Sequence, residues 1–227
     1  MPIKHNKEKI INYLKEDVCK EQITSLYDKK YVKYLGQVIN SNQFYYDIIA
    51  EYLLDHVDLF ESNIHKISRH SVGKTYNEKR GQLKDDYKIY KDEVLYAKSL
   101  YQKEFDLLGK IIHYQTPIYN SKKKKIGAVD LLSFKENMLS LIELKMFHND
   151  ETLLRAILEI ATYYMCISVT ELLKDFNLPL DTKIQKVVLI FKDSRQHQQY
   201  LKSDFVRQLA KKLDVEILIF DTVITTP

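Results

Sequence analysis

The sequence has few of the residues on which disulfide-rich proteins, zinc modules and nucleotide-binding loops depend. Two cysteines occur in 227 residues, Cys19 and Cys166, and they are too far apart to suggest a disulfide framework or a zinc site. With only five glycines and no P-loop or G-x-G-x-x-G pattern, a loop that cradles a nucleotide is not expected. G-x-S-x-G and H-E-x-x-H are also missing, which argues against the common hydrolase and metalloprotease signatures.

Long apolar runs are missing as well. The longest, such as V-V-L-I-F at 187–191, are far too short to span a bilayer. The sequence begins with polar residues and has no apolar signal region. We therefore expect a soluble protein of the reducing cytoplasm that has no membrane partner. Its length and its hydrophobic content of 45% are sufficient for one α/β domain with an extension.

Two strand-like apolar runs joined by a short polar turn occupy residues 125–145, K-I-G-A-V-D-L-L-S-F-K-E-N-M-L-S-L-I-E-L-K. Side chains alternate along a strand, so Glu143 and Lys145 must share one face. If Glu136 and Asn137 form a two-residue turn, counting outward from it places Asp130 opposite Glu143. A four-residue loop keeps this pairing, whereas a three-residue loop separates the two acids unless a bulge intervenes.

Two opposed carboxylates in a sheet core point to a bound cation. Directly opposed side chains have Cβ atoms about 5 Å apart, and like charges at that distance are destabilising unless a positive charge lies between them. Carboxylate oxygens suit Mg²⁺ or Mn²⁺, ions whose coordination is commonly completed by water and by phosphate oxygens. The pattern therefore indicates phosphodiester chemistry, in which Lys145 orients or deprotonates the attacking water.

An Asp followed by E-x-K across a β-hairpin resembles the PD-(D/E)XK nuclease superfamily. The resemblance implies a restriction-endonuclease-like fold and Mg²⁺-dependent or Mn²⁺-dependent cleavage of DNA or RNA. It assigns the catalytic roles to Asp130, Glu143 and Lys145, and it makes Asp130, Glu143 and the Leu144 carbonyl the metal ligands.

The resemblance also implies a further acid on a helix before the hairpin, and Glu104 in L-Y-Q-K-E-F-D-L-L is in the corresponding place. Val129 replaces the proline of the superfamily name. The helix after the hairpin has no Gln where some branches place one, so the branch is undetermined. The similarity covers about residues 97–220.

Apolar spacing predicts a mostly helical region at 1–95, which would contact nucleic acid or a partner, and a nuclease-like core at 96–227. The fold class is α/β, with a mixed central sheet flanked by helices. In the core we predict helices at 97–112, 151–167 and 195–212. We predict strands near 113–119, 126–134, 138–146, 184–191 and 215–220.

Candidate substrate contacts surround the predicted site. Residues 61–125 contain 15 Lys and Arg against eight Asp and Glu, so a basic surface could follow a phosphate backbone, although a solvated lysine-rich surface explains this equally well. Lys122, Lys123, Lys124 and Lys125 either meet phosphates or protect a sheet edge from aggregation.

Two further candidate contacts lie after the hairpin. Arg155 lies off the predicted buried stripe of its helix with Glu159, and it either forms a surface ion pair or reaches a phosphate. His148 either lines the substrate groove or is structural.

Two alternatives to an enzyme remain open. The same fold could serve as a non-catalytic nucleic-acid-binding or assembly module, which binds without cutting. A plain protein-interaction domain would be favoured if Asp130 and Glu143 faced opposite sides of the sheet. For the enzyme, we expect DNA rather than RNA as the substrate class, and symmetric cutting of a duplex would require a homodimer.

Overall fold

A single mixed sheet of six strands organises the chain, whose computed structural model describes residues 5–19, 23–65, 93–119 and 125–221. The strands lie side by side in chain order, antiparallel from β1 to β4 and parallel from β4 to β6. They are β1 (Glu104–Phe105), β2 (Gly109–Tyr119), β3 (Lys125–Lys135), β4 (Met138–Leu144), β5 (Lys183–Phe191) and β6 (Val215–Phe220). The predicted α/β class with a mixed sheet and flanking helices is confirmed.

Eight α-helices and one 3₁₀ helix at Ile23–Asp28 are found in the described ranges. The α-helices are α1 (Lys7–Cys19), α2 (Tyr45–Asp55), α3 (Val57–His65), α4 (Glu93–Leu100), α5 (Leu153–Cys166), α6 (Val169–Asp175), α7 (Arg195–Lys202) and α8 (Asp204–Lys212). None of the helices in these ranges is long and apolar enough to cross a membrane.

The two faces of the sheet carry different helices. One face packs on α5, α8 and the N-terminal helices in a core that includes Ile10, Leu141 and Ile157. The opposite face packs on α4 in a second core that includes Leu100 and Ile142. Alternation along β4 thus sends Leu141 towards α5 and Ile142 towards α4, as the period of a strand requires. The N-terminal helices share one hydrophobic core with the sheet rather than packing only among themselves.

The predicted helix at 97–112 is wrong. Helix α4 ends at Leu100, and β2 begins at Gly109, whose φ of +70° suits a residue without a Cβ. The segment K-I-I-H-Y-Q-T-P-I-Y pairs with β3 along its length, so strand pairing decides its conformation. The predicted helix at 195–212 is two helices, because Ser203 interrupts it and accepts a hydrogen bond from the Val206 amide as the cap of α8.

Candidate metal centre

The β3–β4 hairpin has the predicted register. Lys135 pairs with Met138 and Leu131 with Ile142, so the same count places Asp130 opposite Glu143. Glu136 and Asn137 form the two-residue turn, and both have positive φ, 49° and 63°, as a type I′ turn requires. The turn type therefore fixes which residues meet across the hairpin.

Three acids converge at the open end of this hairpin. Glu93, at the start of α4, joins Asp130 and Glu143, and one carboxylate oxygen from each lies within 4.8 Å of the other two. Asp130 is 6% exposed and Glu143 is 3% exposed. The acids of the hairpin do not face opposite sides of the sheet, so the condition that would have favoured a plain interaction domain is not met.

Two donors fix the Asp130 carboxylate. The Leu144 amide donates to one oxygen at 2.9 Å, and the Gln115 side-chain amide donates to the other at 2.6 Å. Gln115 lies on β2 with a φ of +49°, the left-handed region that a non-glycine residue seldom occupies. An uncommon backbone conformation beside a candidate site is consistent with a functional constraint.

Lys145 lies among these acids and is 2% exposed. Its Nζ is 2.6 Å from Glu143, 3.0 Å from Glu151 and 3.6 Å from Glu93. The Lys145 amide continues the strand beyond β4 by donating to the Leu189 carbonyl at 2.9 Å, which holds the side chain at the hairpin end. A buried lysine is tolerated only with such compensation, because an unpaired buried charge is costly.

A second basic residue supports the cluster from helix α5. Arg155 pairs with Glu151 and, at 2.8 Å, with Glu159, which lie one turn before and after it. Tyr163 donates to Glu159 at 2.9 Å, and Glu159 also contacts the Glu143 side chain. The prediction that Arg155 and Glu159 lie off the buried stripe is wrong, because α5 packs against both the sheet and the 3₁₀ helix and only a little of its surface is exposed.

Six acidic side chains therefore surround Lys145 and Arg155 in the described part of the chain, since Asp28 also pairs with Arg155 at 3.6 Å. The excess of acids over bases changes the pKa values of the cluster. Burial raises the pKa of Asp130, and burial together with the Asp130 charge raises the pKa of Glu143 well above its ordinary value. Burial also raises the pKa of Glu93, to about 7. Burial acts to lower the pKa of Lys145, but the charges of Glu143 and Glu93 raise it well above its ordinary value.

Without metal, stability should fall as pH rises through the window set by Glu93. Below its ordinary pKa of 4.5 both folded and unfolded states hold the proton, whereas between 4.5 and about 7 only the folded state does. The shift corresponds to about 3 kcal/mol, and the raised pKa values of Asp130 and Glu143 act in the same direction. Urea unfolding at pH 5.5 and pH 8 measures this change in the free energy of unfolding, and Glu93→Gln should make the difference between the two pH values smaller. Stability that rises over this range would contradict it.

The cluster is open to solvent on one side. The Glu93 and Glu151 side chains are 25% and 30% exposed, whereas Asp130, Glu143 and Lys145 are nearly covered. A ligand that approaches from this side would meet Glu93 and Glu151 first. Asn149 links these two residues. Its side chain donates to Glu93 at 3.3 Å and accepts from the Glu151 amide at 2.7 Å.

The structure separates Glu104 from the site. Glu104 is an exposed residue of β1 opposite Lys110, which in turn pairs with Phe134, so it lies at the turn end of the hairpin rather than the Asp130 end. Its predicted place on a helix is wrong because β1 and β2 form a short antiparallel pair there. Glu93, eleven residues earlier, supplies the helix carboxylate instead.

The structure leaves the roles of the other predicted site residues untested. The Leu144 amide is engaged by Asp130, and its carbonyl as a metal ligand stays a prediction. His148 is exposed with its ring against Phe147, and Arg155 is held by acids, so their substrate contacts also stay predictions. Lys122, Lys123 and Lys124 lie outside the described residues, as do the side chain of Lys125 and most of the Lys and Arg residues of the segment at 61–125.

Sequence reasoning missed Glu93, Gln115 and Glu151. Gly109, which disfavours a helix, was a signal for Glu93. A helix that ends before Gly109 starts earlier in the chain, so its acid also lies earlier. Gln115 had no such signal, since the register shifts in β2 are not readable from the sequence. Glu151 is placed by a loop whose path depends on tertiary contacts.

Comparison with known proteins identifies no relative of this chain. A scan against models of protein families, a search of curated proteins and a search of solved structures all give no match.

Proposed function

We propose that the chain is a metal-dependent nuclease in which Asp130, Glu143 and Glu93 bind Mg²⁺ or Mn²⁺ and Lys145 positions the attacking water. The observation that supports this most is the convergence of three carboxylate oxygens within 4.8 Å beside a lysine that is 2% exposed. Ionisable groups with strongly perturbed pKa values in one cluster are typical of functional sites.

The donor set is suited to a hard divalent cation. Carboxylate oxygens are the ligands that Mg²⁺ and Mn²⁺ prefer, and a bound cation would favour the ionised forms of acids whose pKa values burial raises. Such an ion lowers the pKa of bound water and stabilises charge that develops on a phosphoryl group.

The residues of the chain have separable roles in this proposal. The Leu144 amide and Gln115 hold Asp130 in one orientation, which reduces the cost of ordering a ligand. Lys145 offers an ammonium group to a water or a phosphate oxygen that enters past Glu93 and Glu151. A positive charge fixed at that point stabilises negative charge developing in the transition state.

The finer fold and the substrate are part of the same proposal. A mixed sheet with an Asp and an E-x-K on adjacent antiparallel strands supports a restriction-endonuclease-like arrangement. Phosphodiester chemistry makes nucleic acid the substrate class, and we propose DNA rather than RNA, with a homodimer if the cut is symmetric.

One observation favours the alternative of a non-catalytic nucleic-acid-binding or assembly module. Lys145 already pairs with three acids, so part of the negative charge is compensated within the protein. Such a module would bind nucleic acid without metal-dependent cleavage, and the experiment below separates the two.

Glu93→Gln and its matched control Glu104→Gln test the proposed function. Wild-type protein should cleave a mixed pool of DNA and RNA with Mn²⁺ or Mg²⁺ and stop when EDTA is added. Glu93→Gln should weaken Mn²⁺ binding and cleavage by roughly 10- to 100-fold because it removes one charged ligand. Glu104→Gln removes an exposed carboxylate at the other end of the hairpin and should change neither.

The readouts are calorimetric titration of Mn²⁺ and cleavage of end-labelled substrates. Binding of nucleic acid by the wild type with no cleavage at any metal concentration would favour the binding module. Equal losses in Glu93→Gln and Glu104→Gln would remove Glu93 from the site.

A further inference from the structure

Helix α7 directs two buried glutamines at the loop that follows β4. Gln196 has no exposed surface, and its Nε2 donates to the Asn149 carbonyl at 3.0 Å and to the Glu151 carbonyl at 2.7 Å. Gln199 is 5% exposed, and its Oε1 accepts from the Leu153 amide at 2.6 Å. One face of α7 thus binds the backbone of residues 149–153.

The orientation of the Gln196 amide is unambiguous. Both of its partners are carbonyl oxygens, which only accept, so the nitrogen must face them. Its Oε1 is buried and has no hydrogen-bond partner within the described ranges. Leaving a buried carbonyl unpaired costs free energy, which an apolar residue at this position would avoid. The two hydrogen bonds that Gln196 donates are therefore what a polar side chain contributes at this position.

The loop held by Gln196 carries the two residues that contact the open side of the acid cluster. The Glu151 carboxylate is 3.0 Å from the Lys145 ammonium, and the Asn149 side chain donates to Glu93. Gln196 binds the carbonyl of each of these two loop residues. A change at Gln196 would therefore move Glu151 and Asn149 without touching the hairpin acids themselves.

We propose that Gln196 is a positioning residue of the candidate metal centre, which fixes the 149–151 loop so that Glu151 holds the Lys145 ammonium in place. This inference rests on the proposed function for its effect on cleavage, but its structural part concerns only Gln196, Glu151 and Lys145. Asp130 and Glu143 are held by the hairpin and Glu93 belongs to helix α4, so a shift of the 149–151 loop removes no metal ligand.

Gln196→Met tests the proposal, because methionine keeps the approximate length of the side chain and removes both donated bonds without changing the charge. The matched control is Gln198→Met, the same substitution at an exposed position of the same helix. In metal-free protein, acetylation of Lys145 by acetic anhydride, followed by mass spectrometry, should be several-fold faster in Gln196→Met than in the wild type. Gln198→Met should match the wild type.

Turnover gives the second readout. In Gln196→Met, kcat should fall about tenfold, with KM for the oligonucleotide and affinity for Mn²⁺ changed less than about threefold. Glu151→Gln should reproduce both the acetylation and the kcat effect. In a double-mutant cycle, Gln196→Met should add little to Glu151→Gln because both act through the same contact. A purely structural role predicts additive losses in the free energy of unfolding, with KM and kcat per folded molecule unchanged.

Unchanged acetylation at Lys145, or fully additive effects, would overturn the proposal. If Gln196→Met does not fold, Gln196→Asn takes its place in both readouts, because the shorter side chain keeps the amide but draws its nitrogen away from the Asn149 and Glu151 carbonyls. If the wild type cuts no nucleic acid, the proposed function fails, whereas the acetylation rates still decide whether Gln196 positions Lys145.

Discussion

Asp130→Asn should abolish metal-dependent cleavage, with kcat/KM reduced by at least about 10³-fold, or about 4 kcal/mol of transition-state stabilisation. The substitution removes a charged ligand, and its remaining oxygen still accepts from the Leu144 amide. The fold should therefore be retained. Because the folded state already raises the pKa of Asp130, the neutral amide should not lower the metal-free unfolding midpoint.

Calorimetric titration of Mn²⁺, cleavage assays and thermal unfolding together check this prediction. Asp106→Asn is the matched control, because Asp106 is exposed in the turn between β1 and β2. The control should bind Mn²⁺ and cut like the wild type. Full metal-dependent cleavage by Asp130→Asn would contradict the assignment of Asp130 as a metal ligand. Unfolding of Asp130→Asn would show that the carboxylate is structural.

The second large effect is expected at Lys145. Replacing it by Met leaves Glu143, Glu93 and Glu151 without their shared partner, and breaking a buried charge pair in this way costs about 3–5 kcal/mol. The loss should be greatest at pH 8 and smaller at pH 6, where more of the acids hold protons. Cleavage should be lost while Mn²⁺ binding persists, because no metal-binding carboxylate is removed.

Urea unfolding with and without Mn²⁺ measures both parts of this prediction, and the stabilisation by Mn²⁺ should be larger in Lys145→Met than in the wild type. Lys186→Met is the matched control. Lys186 is also largely buried, on the neighbouring strand β5, but its acidic partner Asp214 is 3.7 Å away and exposed, so its loss should be smaller and insensitive to Mn²⁺. Equal Mn²⁺ effects in the two variants would contradict a cation site beside Lys145.

The hairpin was predictable because its register depends on local rules. The alternation of apolar residues, the two-residue turn at Glu136 and Asn137, and the period of a strand together determine that Asp130 and Glu143 meet. The strands at β5 and β6 were also predicted almost to their ends, because each appears as a short run rich in Val, Ile, Leu and Phe. The run in β5 is mostly buried, whereas only Val215 is buried in the edge strand β6.

The rest of the site depends on contacts that a single sequence does not reveal. Glu93 comes from a helix whose C-terminal limit was misjudged, because the strand pairing of β2 overrides the helical spacing of residues 101–112. Arg155 and Glu159 were predicted at a surface because a charged helix face is usually solvated, but α5 packs against the sheet on one side and the 3₁₀ helix on another. Burial on both sides of a helix is a property of the whole fold.

Because the N-terminal helices and the sheet share one core, the second part of the chain should not be stable without the first. Arg155 contacts Asp28 at 3.6 Å, Tyr163 bonds Tyr27, and the Thr152 hydroxyl donates to the Val32 carbonyl, so helix α5 is held by residues from the first part of the chain. Cutting the chain near residue 95 would expose the apolar side of α5 and remove these three contacts. Residues 96–227 should therefore not fold as an independent unit when they are separated from the N-terminal helices.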